Sequence, residues 1–134
     1  MELILNPDHT RGDAYKIARV VYAETGATSL PLVEGFASMI ANVARARGVS
    51  PATVVSDENL FGALRTNNSR HGALNVRPDS RAFQMCLRVV TRMLHGNLPD
   101  CCNGATRFHR DDEMPDWATS RGYIADIDGV LFYL

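Results

Sequence analysis

The sequence predicts an α+β domain in which helix dominates and one small β-hairpin closes the chain. Three observations carry this prediction. The chain has 134 residues, 46% apolar and 22% charged, the size and composition of one globular domain spanning 1–134. Several stretches repeat apolar residues at a helical period between cap and stop residues. Near the C-terminal end, Asp128-Gly129 separates two short apolar runs, the strong signal of a two-residue turn.

The first helix is predicted from Gly12 to Thr25, with Asp13 near its start and Gly26 as its stop. Ala14, Ile17, Ala18, Val20 and Val21 form its apolar stripe. The second starts from Ser29 as cap and Pro31 in the first turn, and it ends at Gly48. Val33, Phe36, Ala37, Ile40, Val43 and Ala44 line one face. Ser50-Pro51 opens a third helix of one or two turns. From Asp57 to Asp79 no period holds, and Asn67, Asn68, Ser69, Gly72 and Pro78 mark a long loop of the kind that is usually functional or mobile. Asp79 or Ser80 caps a fourth helix that runs to about His95 and is closed by Gly96. Its core face is Ala82, Phe83, Cys86, Leu87, Val90, Met93 and Leu94. Pro99 to Pro115 is irregular, with a short extended piece at Ala105 to Phe108. The hairpin pairs Tyr123–Ile127 with Val130–Tyr133.

Composition excludes several classes. The formal net charge of −1 gives no electrostatic case for nucleic acid as a partner. No apolar run is long enough to span a membrane. Of the 14 cationic residues only Lys16 is not arginine, which we read as genome composition. The cysteines, Cys86, Cys101 and Cys102, match neither a zinc spacing nor a disulfide framework, and imply a reducing compartment, or at least a fold that needs no disulfide. Met1 to Asp8 lacks the basic start and long apolar run of a signal peptide.

Glu24 is the most informative side chain. It follows Val20 and Val21 by four and three positions and Ile17 by seven, which places a carboxylate on or beside the apolar stripe. Desolvation there disfavours the charged form, and a carboxyl that holds its proton near neutral pH suits a general acid. The structural alternative is a boundary glutamate that turns to solvent or pairs with an arginine such as Arg19. The histidines at 9, 71, 95 and 109 form no metal-binding spacing, and Asp111 and Asp112 after His109 read as a solvated acidic loop. Cys86 falls on a core face. A nucleophilic pairing of Cys101 or Cys102 with His109 is a further alternative. Phe108 with His109, Trp117 and Tyr133 are aromatics near polar groups, suited either to a sugar face or to a satellite core patch.

Four stretches together resemble the SleB/CwlJ-type cell wall hydrolases, the spore-cortex-lytic-enzyme family. They are residues 18–26 (ARVVYAETG), 38–43 (SMIANV), 104–109 (GATRFH), and 115–118 (PDWA) with 127–133 (IDGVLFY). Their order and spacing agree over about residues 15 to 134. The resemblance implies a lysozyme-like helical domain that cleaves peptidoglycan glycan strands between N-acetylmuramic acid and N-acetylglucosamine. It implies a lytic transglycosylase or muramidase with Glu24 as the one catalytic residue and no metal or other cofactor. Tyr22, Asn42, Phe61, Thr106, Phe108, His109, Trp117 and Tyr133 would bind substrate. The chain departs from the family where Thr28 replaces a glutamate, Leu60 a glutamine, Gly62 a serine, Val130 a histidine and Leu134 a basic residue. Those losses leave room for an inactive or weakly active peptidoglycan-binding module. Without a visible signal peptide, the expectation is synthesis in the cytoplasm and action on the wall, with delivery in a phage or secretion assembly or association with a spore.

Overall fold

The computed structural model describes residues 12–134, so the signal-peptide expectation and His9 lie outside the described residues. Among the described residues four α-helices precede the strands: α1 (Asp13–Thr25), α2 (Leu30–Arg47), α3 (Pro51–Val54) and α4 (Arg81–Leu94). Strands β1 (Arg107–Arg110), β2 (Tyr123–Ile127) and β3 (Val130–Tyr133) follow. Short 3₁₀ turns occupy Gly62–Leu64, His71–Asn75 and Asp116–Thr119. The predicted fold class, α+β with helix dominant, is the one observed.

The helix ends follow from their cap residues. Gly26 takes a left-handed φ of 63°, and its N–H donates to the Tyr22 carbonyl at 2.7 Å. Ser29, Ser50 and Ser80 each accept a backbone N–H three residues on. Ser80, not Asp79, is thus the cap of α4. The stripes also bury what apolar periodicity missed. Tyr15 on α1 is fully buried and packs on Phe83 with ring centroids 5.5 Å apart. Gln84 on α4 is fully buried because its amide donates to the Pro78 carbonyl at 2.7 Å. Leu94, predicted for the core, is 37% exposed at the last turn of α4.

The C-terminal end is more than a hairpin. β2 and β3 pair antiparallel across Asp128-Gly129, whose φ angles of 51° and 82° are the pair of positive values that a type I′ turn needs. β1 then pairs with the other side of β3, so the sheet order is β1-β3-β2. The extended piece runs over Arg107–Arg110, two residues later than the predicted Ala105–Phe108. Arg107-Phe108-His109-Arg110 carries one apolar residue in four, so hydropathy could not mark it. Pairing with β3 makes it a strand.

The sheet lies against α2. A Cβ at Gly35 would meet Ile127 Cδ1 at 3.1 Å and the Phe132 ring at 3.5 Å, so the glycine allows that close approach. Phe36, fully buried, touches Phe108 and Phe132 edge-on, with centroids at 4.7 and 5.6 Å. The Ser29 hydroxyl, besides capping α2, donates to the Asp128 carboxylate and ties the hairpin turn to the helix start. The 57–79 segment is not loose. Leu60, Leu64, Leu74 and Val76 pack against the core cluster.

Phe36→Ala should lose about 3–5 kcal/mol of stability, the cost of emptying a large aromatic site. Ser80→Ala should lose about 1 kcal/mol. Urea unfolding followed by circular dichroism measures both, and a Phe36→Ala loss below that of the cap variant would contradict the packing.

Candidate active site

Glu24 sits in the last turn of α1, and its side chain is fully buried. No other carboxylate among the described residues is buried. Two hydrogen-bond donors and a second nearby cation explain why the burial is tolerated. Arg110 Nη2 donates to Oε1 at 2.9 Å and to the Glu24 main-chain carbonyl at 2.6 Å. The Ala63 N–H donates to Oε2 at 3.0 Å. Arg70 Nε lies 3.4 Å from Oε1, within ion-pair range but without a hydrogen bond. Arg110 therefore neutralises the carboxylate and also satisfies a carbonyl at a helix C-terminus, where a cation is favoured. The partners are Arg70 and Arg110, not the Arg19 weighed from sequence. The Arg19 guanidinium lies 6.0 Å from the Tyr15 ring centroid.

The loop that supplies Ala63 is itself pinned. The Ala63 carbonyl accepts from His71 Nδ1 at 2.9 Å. One backbone unit thus joins His71 to Glu24.

A cleft of about 200 Å³ lies in front of this cluster. Leu60, Gly62 and Arg70 line it from the loop; Phe108, His109 and Arg110 from β1; Trp117 from the last 3₁₀ turn. Glu24 is not among its lining residues, and Arg70 and Arg110 stand between its carboxylate and the open space. The residue period of a strand explains the division of β1. Phe108 and Arg110 face the helices, towards Phe36 and Glu24. His109 faces the other way, stacked on Tyr133 at 5.2 Å and edge-on to Trp117 at 5.7 Å. Trp117 meets Tyr133 edge-on at 5.2 Å, which completes an aromatic group of three.

His109 is oriented from both ring nitrogens. The Arg110 carbonyl can only accept, so Nδ1 at 2.7 Å carries a proton. In the neutral ring Nε2 then accepts from the Tyr133 hydroxyl at 2.9 Å. Neither nitrogen bonds a cysteine, so the alternative pairing with Cys101 or Cys102 is absent from this geometry. Cys102 is buried and Cys101 exposed. Among the described residues, no three His, Cys, Asp or Glu side chains are grouped to hold a metal ion.

The other sequence-nominated residues fall outside the cleft wall. Phe61 is fully buried, 6.1 Å from the Phe108 ring, and supports the wall from behind. Tyr22 is half-buried and meets Phe83 edge-on at 6.4 Å. Asn42 is buried and donates to the Ala105 carbonyl at 3.1 Å, which fastens α2 to the segment before β1. The Thr106 N–H donates to the Tyr133 carbonyl at 2.8 Å. Of the five departures from the family pattern, Leu60 and Gly62 line the cleft. Val130 is in the core, and the Thr28 hydroxyl donates to the Thr25 carbonyl. Arg70 and Arg110 were not found from sequence. A buried glutamate demands a cation, but residues 46 and 86 positions away carry no local signal.

The fold has a counterpart among solved structures. The chain is similar to the catalytic domain of the germination-specific lytic transglycosylase SleB from Bacillus anthracis, with a TM-score of 0.73 at 17% identity. The likeness covers 97% of this chain and 100% of that one. No protein-family model matches the chain, and no curated protein does.

Burial pushes the thiols of Cys86 and Cys102 up to about 12; at Cys102 the Asp100 carboxylate adds to the effect. The raised values keep both as neutral thiols at pH 8. Iodoacetamide should therefore alkylate Cys101 alone in the folded protein, with the other two modified only after denaturation. Peptide mapping by mass spectrometry reads this, and rapid native labelling of Cys102 would contradict the site as described.

Proposed function

We propose that the chain cleaves peptidoglycan glycan strands between N-acetylmuramic acid and N-acetylglucosamine, with Glu24 as acid and then base. One observation carries the reading: the one buried carboxylate among the described residues lies directly behind a cleft walled by Phe108, His109 and Trp117. The shared fold with a lytic transglycosylase catalytic domain supports it.

In this mechanism one guanidinium moves away, a proton takes its place on Glu24, and Glu24 gives that proton to the glycosidic oxygen. The bond from muramic C1 to that oxygen breaks, the oxygen keeps the electron pair, and the sugar becomes oxocarbenium-like. The muramic 6-hydroxyl then attacks C1 and returns a proton to Glu24, which closes a 1,6-anhydro ring. Attack by water instead makes the same site a muramidase. Access requires one guanidinium to move. Arg70 is the one held less firmly, since its Nε makes no hydrogen bond and its side chain is 31% exposed, whereas Arg110 makes two bonds to Glu24. With Arg70 turned outward, Arg110 and the Ala63 N–H would still orient the carboxyl.

A second reading, a peptidoglycan-binding module of low or no activity, is favoured by a specific feature. The Glu24 side chain is sealed from solvent, and its two oxygens are occupied by Arg110 and Ala63. Delivery by a phage or secretion assembly, or association with a spore, fits both readings.

Glu24→Gln should keep the circular dichroism spectrum and lower product release by roughly 10²–10⁴-fold, the contribution of a general acid–base group. Mass spectrometry of soluble products from purified peptidoglycan provides the readout. Glu24-dependent 1,6-anhydromuropeptides would identify a transglycosylase, and reducing ends a muramidase. Undiminished products from the variant would remove Glu24 from the mechanism. Retained binding without products from the wild type would establish the module.

A further inference from the structure

Four guanidiniums converge on the cleft: Arg65, Arg70, Arg107 and Arg110. Arg70 and Arg110 share one carboxylate, that of Glu24. Arg107 has no ion-pair partner among the described residues. Its guanidinium lies 5.7 Å from the Trp117 ring centroid, a cation–π contact. The neighbouring cations are already engaged: Arg47 bonds Asp57 at 2.9 Å, and Arg121 donates to the main-chain oxygen of Leu134 at 2.9 Å. Glu58 and Glu113 also line the cleft, but neither forms an ion pair among the described residues. Burial lowers the pKa of Arg107, and the like charges of Arg121 and Arg47 add to the lowering, while the Asp57 carboxylate, itself bound to Arg47, acts against it. No carboxylate of the described residues bonds the Arg107 guanidinium itself. A half-buried guanidinium in that position gains from a bound carboxylate, which its planar fork can take through two N–H groups.

We propose that Arg107 and Trp117 form a subsite for a carboxylate carried on the glycan. The apolar face of an amino sugar lies against Trp117, and the acid group attached to that sugar lies on the Arg107 fork. The inference rests on the glycan reading of the cleft and adds a substrate class to it: acidic amino sugars in preference to neutral ones. Two carboxylates satisfy the chemistry, the lactyl group of muramic acid and the acids of a peptide attached to it.

Trp117 is the only tryptophan of the chain, so its fluorescence reports this subsite directly. The probes are the disaccharide N-acetylglucosaminyl-N-acetylmuramic acid, the same disaccharide with its lactyl carboxylate amidated, and the disaccharide carrying an L-alanyl-D-glutamate dipeptide. In the wild type a charged probe should bind about tenfold more tightly than the amide, and rising salt should shrink that preference. Preference for the lactyl acid identifies that carboxylate as the ligand; preference only for the dipeptide form identifies the peptide acid. Arg107→Gln should bring the preferred probe close to the affinity of the amide, with the larger loss falling on the charged probe. If that variant does not fold, Arg107→Lys, which keeps the charge but not the fork, should retain a reduced preference. Equal affinity for charged and amidated probes, or a preference untouched in Arg107→Gln, would overturn the subsite and leave the glycan reading standing. No fluorescence response to any probe would overturn both.

Discussion

A carboxylate in the last turn of the first helix accepts hydrogen bonds from two segments far away in sequence. Arg110 reaches Glu24 from β1, and Ala63 reaches it from the 57–79 segment. Removing both charges from water is costly, and the pair is stable only because the remaining polar atoms are met as well. Arg110 meets the Glu24 main-chain carbonyl, and the Ala63 N–H meets the second carboxylate oxygen. This arrangement brings helix, loop and strand together at one point, and the cleft is the space left between the loop and the strand.

The sheet must sit accurately for that contact to form. Its position comes from α2, where Gly35 admits Ile127 and Phe132 and where Phe36 fills the space under Phe108. The Ser29–Asp128 bond holds the hairpin turn to the start of the same helix. β1 has no strong strand character of its own. It is an edge strand fixed by β3 on one side, and all four of its residues line the cleft. Its period of two sends Arg110 to the buried glutamate and His109 to the aromatic group. One short strand thereby serves both the electrostatic and the apolar part of the site.

A fold is a packing solution, and many side-chain sets satisfy it. The departures at Val130 and Thr28 illustrate this, since both residues are accommodated without a strained or unpaired group. Val130 packs in the core, and Thr28 bonds back to its own helix end. Chemistry is therefore argued from the cleft. There the chain concentrates four of its arginines, so that the excess of arginine read as compositional has a local consequence that overall charge conceals.

Helix ends, the hairpin turn and the place of Glu24 on or beside the apolar stripe were legible in the sequence because each is local. A serine cap, a left-handed glycine and a 3.6-residue period act over a few residues, and Ser29, Gly26 and the α1 stripe read correctly for that reason. The Asp128-Gly129 turn likewise follows from the two positive φ angles it must adopt. Four of the nominated residues, Phe108, His109, Trp117 and Tyr133, come together in or beside the cleft. Tyr22, Asn42, Phe61 and Thr106 do not line it. What tertiary structure alone decided was pairing. β1 is a strand because β3 supplies its hydrogen bonds, and Glu24 is ionically satisfied because the fold brings Arg70 and Arg110 to it. Those contacts span long sequence separations, and no local propensity encodes which of thirteen arginines will arrive.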